Sequence, residues 1–330
     1  MNPVRSHRQW LAILFVMAGV ILGTVSIVGA QSPGYRVAVL TPGLTFDLVL
    51  HGLQEGLANL GYKEGKNITF IVEDTKGSVS DLVNRATRLA EAKPNVLFTV
   101  ATTHTTAAKK ATATIPIVFA WVGDPLRSGF IASYASSKNN LTGVSSYAGP
   151  LSGKRLEVLK EIAPKIKHIL AIVATKDSVA ENSFEFLEET ARKIGVQVLR
   201  RDVTTREEIE KAIRGTAKGS VDAIYHVPSA LVGAYIDLLI EKAKGDGIPL
   251  VVHEESMVER GALFTYGGDF RLVGVQSARL MAKILKGEKP SDVPSETPEK
   301  LLLVLNLTTG RAIGLKIPRA VLEKADRLVE

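Results

Sequence analysis

Hydroxyl, carboxylate and aromatic side chains recur where this sequence turns out of short apolar runs. The clearest case is Ala101-Thr102-Thr103-His104-Thr105-Thr106, which follows the apolar run 96–100. A strand end that feeds a helix start leaves backbone N–H groups unpaired. Threonine hydroxyls beside them can hold a carboxylate or another anion. The same place suits a plain helix cap, so Thr102 and Thr103 carry both readings. Ser178, in Thr175-Lys176-Asp177-Ser178, and Ser229, after Pro228, stand at further strand ends. Two carboxylates complement them. Asp269 follows Gly267-Gly268, where backbone and ligand can approach closely, and Glu254 closes the apolar run 248–254. If the ligand is an amino acid, its ammonium group needs such a partner, Asp269 first and Glu254 second. Asp269 also suits a turn, and Asp124 in its Gly-Asp-Pro sequence is read as structural. Phe46, Trp121 and Tyr147 each fall at a strand end or passage, where one could stack on a flat ligand; core packing is the alternative.

Other chemistries lack their residues. Gly149-Pro150-Leu151-Ser152-Gly153-Lys154 has its glycines one residue too close for a phosphate loop, and Arg155 replaces the required hydroxyl. His253-Glu254-Glu255 lacks the second histidine of a zinc helix, since Met257 stands there. No Gly-x-Ser-x-Gly elbow and no dinucleotide fingerprint after residues 35–40 is found, and no nucleophile–base pair emerges. His104, His226 and His253 fall near strand ends; they read as polar rim residues in preference to a metal set. The expectation is a binding protein with no cofactor and no metal.

The elements that must position these groups repeat. Residues 115–125, Ile-Pro-Ile-Val-Phe-Ala-Trp-Val-Gly-Asp-Pro, read as a buried strand entered by Pro and closed by a tight turn. Ile-Pro-Leu-Val-Val-His-Glu at 248–254 is its cousin. Each is preceded by a helix closed by Leu-Gly or Ile-Gly, then strand, helix, strand and helix. The lead from Gly61 to Pro116, and from Gly195 to Pro249, is about 55 residues in both cases. Two copies of one α/β unit would face each other across a cleft at the carboxyl ends of their strands, where open α/β sheets bind ligands. In the first unit the pattern predicts strands at 35–40, 67–72, 96–100 and 117–122, with helices at 48–60, to about 92 and to about 114. In the second it predicts strands at 169–174, 196–200, 222–227 and 251–254, with helices at 151–162, 182–194, 207–217 and 230–244. Passages between lobes are expected near Ser145, Asp269 and Asn306. A helix over 272–285 should return to the first lobe, and a strand at 301–305 should precede a last helix over 318–329.

The bulk numbers fit two domains. The chain has 330 residues, no cysteine and a formal charge of +7. Lysine and arginine are scattered among acids, without the basic, aromatic-interleaved stripe of nucleic-acid binding. Lack of cysteine removes disulfides, thiol catalysis and a lipoprotein anchor. Arg5, His7 and Arg8 precede the uncharged apolar run 10–28, and Val28-Gly29-Ala30 supplies small residues for cleavage. That is a secretory signal over residues 1–30, with an uncleaved membrane anchor as the alternative. Either places the folded part outside the cytoplasm, away from ATP and NAD(P)H.

Several stretches together resemble the solute-binding proteins of ABC transporters, in the branch that includes tryptophan and other aromatic amino-acid binders. They are GLQEGLANLGYKEGKNI (52–68), 115–125, LTGVS (141–145), KRLEVLKEIAP (154–164), GALFTYGGDFRLVG (261–274) and NLTTGRAIGLKIPRAVLEKADRLVE (306–330). The resemblance implies the type I periplasmic-binding architecture, two Rossmann-like lobes with parallel-sheet cores joined by a three-segment hinge. Residues 35–145 with 270–300 form the N-terminal lobe, and 146–268 with 306–330 the C-terminal lobe. It implies a monomeric receptor that closes on a small molecule and docks on a permease coupled to a cytoplasmic ATPase. The best-fitting ligand class is an amino acid, aromatic or branched. The alternatives are a sensor partner that presents ligand to a signalling receptor, and a secreted enzyme on the same scaffold. The family more often carries a small residue where Trp121 stands, so Trp121 either narrows the pocket or serves as its stacking platform.

Overall fold

The computed structural model describes residues 34–330; the expected signal over 1–30 lies outside them. The first sheet is built from β1 (Tyr35–Thr41), β2 (Ile68–Asp74), β3 (Val96–Val100), β4 (Ile117–Val122) and β5 (Leu141–Ser145), in the order β2-β1-β3-β4-β5, with every pair parallel. Strands β3, β4 and β5 are buried along their whole length, as a sheet covered on both faces requires. Helices α1 (Asp47–Asn59), α2 (Leu82–Glu91) and α3 (Thr102–Ala111) cover it.

After β5 the chain passes through α4 (Ala148–Ile162) into a second sheet. Its strands are β6 (His168–Ala174), β7 (Gln197–Val203), β8 (Ala223–His226), β9 (Leu250–Val252), β10 (Phe264–Gly268), β11 (Leu301–Asn306) and β12 (Arg327–Val329). Between them run α5 (Ser178–Ile194), α6 (Arg206–Arg214), α7 (Ala230–Gly233), α8 (Ile236–Asp246) and α9 (Glu255–Glu259). The order β7-β6-β8-β9-β10 repeats that of the first sheet, and β11 and β12 extend it. The architecture is two parallel-sheet lobes of one topology, the type I periplasmic-binding fold.

Helix α10 (Phe270–Leu285) follows β10 of the second sheet yet packs along α1 of the first. Glycines permit this. A Cβ on Gly52 would stand 1.9 Å from the Arg271 carbonyl oxygen, and one on Gly274 would stand 2.1 Å from that of Val49. Backbone meets backbone there, so residues with side chains are excluded.

The third passage lies at 297–300. Before it, the Ser145 amide donates to the Glu296 carbonyl and the Glu296 amide to that of Gly143, each at 2.9 Å, which holds the segment beside β5. Asn306 sits elsewhere than at this passage. β11 runs antiparallel to β10, so Leu301 pairs with Gly268 near the passages while Phe264–Leu305 closes the far end. The Asn306 side chain caps α11 (Leu307–Ala312), accepting from the Thr309 amide at 2.7 Å.

Two helix expectations need correction. The segment 318–329 forms only a short α12 (Arg319–Leu322) and then strand β12. The open edge of β11 captures it: the Asp326 amide donates to the Leu303 carbonyl, and the Leu303 amide to the Asp326 carboxylate, both at 2.9 Å. Ladder pairing outweighs the helical spacing. The helix expected over 230–244 breaks at Tyr235, whose φ of −115° and ψ of 24° leave the helical region, giving α7 and α8.

Candidate functional site

On the first lobe the polar groups lie where β2, β3 and β4 end. Ala101 takes φ 70°, ψ 157°, and turns the chain sharply from β3 into α3. Thr102 Oγ1 accepts from the Gly123 amide at 3.1 Å, so this hydroxyl ties the ends of β3 and β4 together and caps no helix. Thr103 is exposed, and its hydroxyl lies 3.1 Å from His104 Nδ1. The other ring nitrogen, Nε2, is 3.0 Å from the buried Thr75 hydroxyl. Burial pushes the His104 pKa down to about 4, against the opposing pull of Asp74. The imidazole is therefore neutral at pH 7, donating to one threonine and accepting from the other.

Trp121 occupies a bulge between Ala120 and Val122, with φ 57° and 8 % exposure. A bulky residue held at positive φ costs about 1–3 kcal/mol and persists only when its surroundings fix it. Phe270 does so: the two rings stack with centroids 4.0 Å apart at 25°, and Phe46 meets Phe270 edge-on at 5.3 Å. The indole also reaches across to Gly268, where a Cβ would come within 3.3 Å of it. Phe46 and Trp121 are thus brought together through Phe270, a residue that sequence reasoning left unnamed. Tyr147, at φ 55° and 38 % exposed, stands apart on the first passage.

The second lobe places different chemistry at its strand ends. Ser178 is exposed at the first turn of α5, and the residue that caps this helix is Asp177, which accepts from the Val179 amide at 2.9 Å. Burial raises the Asp177 carboxyl, while the amides of Val179 and Ala180 and the Ser229 hydroxyl pull it back. Ser229 in turn caps α7. Glu254 lies beside His253, with Oε1 3.3 Å from Nε2. Asp269 caps α10, its Oδ1 accepting from the Leu272 amide at 2.8 Å. That engages one of its oxygens with the helix head, whereas the Glu254 side chain makes no cap hydrogen bond.

Beneath this surface lies a buried arginine. Arg155 of α4 is 3 % exposed, donates through Nε to the Tyr266 carbonyl at 2.9 Å, and leaves Nη1 without a partner. Burial lowers its pKa, and the neighbouring Tyr225 opposes the shift. Its position was a missed signal: Leu151, Arg155, Leu159 and Ile162 share one face of α4, so the arginine stands in an apolar stripe.

The two lobes touch. A Cβ on Gly123 would sit 2.6 Å from Val179 Cγ1 of α5. Arg127, in the loop after β4, reaches α5 with Nη1 at 2.8 Å from Asn182 Oδ1 and forks onto Glu185 at 2.5 and 3.2 Å. No pattern within either unit announces a contact between a loop and a helix so distant in sequence.

Residues 36–329 match the model of the family described as ABC transporter substrate binding protein. The chain is 26% identical over 272 residues to a tyrosine-binding protein of Clostridioides difficile, covering 82% of this chain and 78% of the relative. A conserved domain protein of Vibrio cholerae has a solved structure that superposes with a TM-score of 0.82 at 30% identity, over 89% of this chain and 99% of that one. A Streptococcus pneumoniae ABC domain in complex with L-Trp superposes with a TM-score of 0.83 at 23% identity, over 90% and 100%, and shares the fold.

Proposed function

The chain belongs to the ABC transporter substrate-binding protein family, and from that premise we propose that it is an extracytoplasmic receptor enclosing an amino acid between its lobes. The tyrosine-binding relative supports an aromatic side chain. The observation that carries the reading is the contact of Gly123, tied to Thr102, with Val179 beside Ser178 on the other lobe, which brings strand ends of unlike chemistry toward one seam. Thr102, Thr103 and Trp121 stand on one lobe; Ser178, Ser229 and Glu254 stand on the other. An amino acid offers both an anion and a cation, and we assign its ammonium group to Glu254, whose side chain caps no helix, ahead of Asp269, which caps α10 through one oxygen. Phe46 and Tyr147 line the approach beside the passages, and Asp269 holds the head of α10.

Closure is a hinge motion about the three passages, at 145–148, 268–270 and 297–300. Only a ligand that touches both lobes favours the closed form. The closed monomer presents both lobes to a permease coupled to a cytoplasmic ATPase. Among the described residues no helix is long and apolar enough to cross a membrane. A secretory signal over residues 1–30 accounts for export.

A thermal-shift screen of residues 31–330 against amino acids, nucleosides, sugars and organic anions tests the reading. Ligand at about 100 times its dissociation constant adds roughly 2.7 kcal/mol of stability. A large shift with an aromatic or branched amino acid is expected. A shift only with a nucleoside, sugar or non-amine anion would keep a receptor and discard the amino acid.

A further inference from the structure

Two imidazoles meet at the ends of β8 and β9. His226 is fully buried, and its Nδ1 lies 3.3 Å from that of His253, with the ring centroids 4.8 Å apart. The outer nitrogen of His253, Nε2, faces Glu254, and the Nε2 of His226 has no partner. Facing ring nitrogens hold one proton between them, because one must donate and the other accept. A carboxylate only accepts, so Nε2 of His253 carries the proton directed at Glu254. In the neutral pair His226 then donates from Nδ1 to His253. When the pair takes up a further proton, the positive charge settles on one ring. Burial disfavours it on His226, as do the nearby charges of His253 and Arg155, and together they outweigh the pull of the Ser229 backbone. It settles on His253, beside Glu254.

We infer that His253, backed by the buried His226, controls the charge available at Glu254, so that capture of a ligand ammonium there expels a proton. The inference rests on the amino-acid receptor reading. One carboxylate cannot fully serve two cations a few ångströms apart, and their mutual repulsion makes ammonium and imidazolium compete. His253 is a positioning residue in this scheme: it acts on the ligand through Glu254.

Other charged and titratable groups surround the pair. Asp177, at the head of α5, attracts positive charge to His253. Arg155 on α4, in contact with Tyr225, opposes it on His226. Glu255, next in sequence, is taken by Arg327 of β12. Asp177 and Arg155 thus pull in opposite directions on the two rings, which strengthens the placement of charge on His253 over His226.

The test repeats the screen with each standard amino acid at roughly pH 8 and pH 5.5, a span that brackets ordinary histidine titration. The amino acid that gives the largest shift is then titrated calorimetrically at about pH 5.5, where the pair holds its further proton, in two buffers of different ionisation enthalpy. Loss of one proton per bound ligand weakens binding by up to about ten-fold per pH unit below the titration. A total fall of about ten- to a hundred-fold by pH 5.5, with net proton release, is the expected result. His253→Gln keeps the size of the side chain and should flatten the profile. Equal affinity at both pH values without proton release overturns the inference, as does a profile that His253→Gln leaves sloping. The wild-type proton count needs no variant, so misfolding of His253→Gln does not decide the matter. Failure of every amino acid to bind at either pH overturns the receptor reading and this inference with it. Binding without proton release overturns this inference alone.

Discussion

The polar groups at the strand ends of the first sheet are threonines, a neutral imidazole and an indole, whereas those of the second are Asp177, Glu254 and a histidine pair above a buried arginine. The strand order is the same in both sheets. Shared topology therefore fixes where side chains converge and leaves open what they are. Even the buried histidines differ in company. His104 sits between two hydroxyls that accept or donate as needed, while His226 faces another titratable ring. One wall offers shape and adaptable hydrogen bonds, the other charge. A zwitterionic ligand with a flat side chain would use both.

The largest expected effect is on the aromatic wall. Trp121→Ala removes the ring stacked on Phe270, and a buried Trp→Ala change costs about 3–5 kcal/mol. Alanine keeps a Cβ and with it the strain at φ 57°, so the full loss of about 3–5 kcal/mol is expected in chemical denaturation. A loss below about 1 kcal/mol would mean that the indole is a ligand surface only and carries little of the fold.

Acid should act next. The folded pKa of His104 is about 4, below its ordinary 6.5, so the unfolded chain takes up the proton first. Stability from this group is complete above about pH 6.5 and is lost as pH falls toward 4, about 3 kcal/mol in all. His104→Gln keeps hydrogen bonding to Thr75 and Thr103 and should flatten that part of the pH–stability curve. An unchanged acid slope in the variant would assign the sensitivity to the second lobe, where His226 is also held neutral.

Much of this frame was readable from the chain. Gly61 and Gly195, with the runs 115–125 and 248–254, mark the same points in two units, because helix ends and buried strands leave strong local signatures. Thr102, Ser229 and Glu254 stand out in the sequence because each follows an apolar run that ends there. Their partners were not legible: whether Thr102 meets Gly123, or Asp269 caps α10, depends on how elements pack. The last strand, despite its helical spacing, forms for the same reason, as its partner β11 supplies the ladder from outside the segment. Arg155 was visible as a charge in an apolar stripe, yet the carbonyl of Tyr266 that holds it lies 111 residues away.

The two carboxylates at the seam separate under conservative change. Asn caps a helix about as well as Asp, so Asp269→Asn should leave stability within about 0.5 kcal/mol, whereas Asp269→Ala should cost about 1. Glu254→Gln should weaken an amino-acid ligand at least about ten-fold, the size of one charge-assisted hydrogen bond, with Asp269→Asn changing affinity little. Calorimetry of the two variants side by side checks this. The reverse ranking would move the ammonium to the head of α10.

The smallest change in stability is expected where the walls touch. Arg127 and Glu185 are each about half exposed, so their pair contributes only about 0.2–1 kcal/mol to the fold. The contact crosses the seam, however, and exists only while the lobes are together. Arg127→Ala should therefore leave the unfolding midpoint of the ligand-free protein nearly unchanged and speed ligand release by a few-fold, measured by stopped-flow dissociation. The asymmetry follows from which state each interaction favours. Under the proposed hinge motion, His104 stabilises its own lobe in either state, whereas Arg127 acts only where the lobes meet. A variant equally slow to release ligand would show that the Arg127 fork contributes nothing to closure, leaving Val179 against Gly123 and the bound ligand to hold the lobes together.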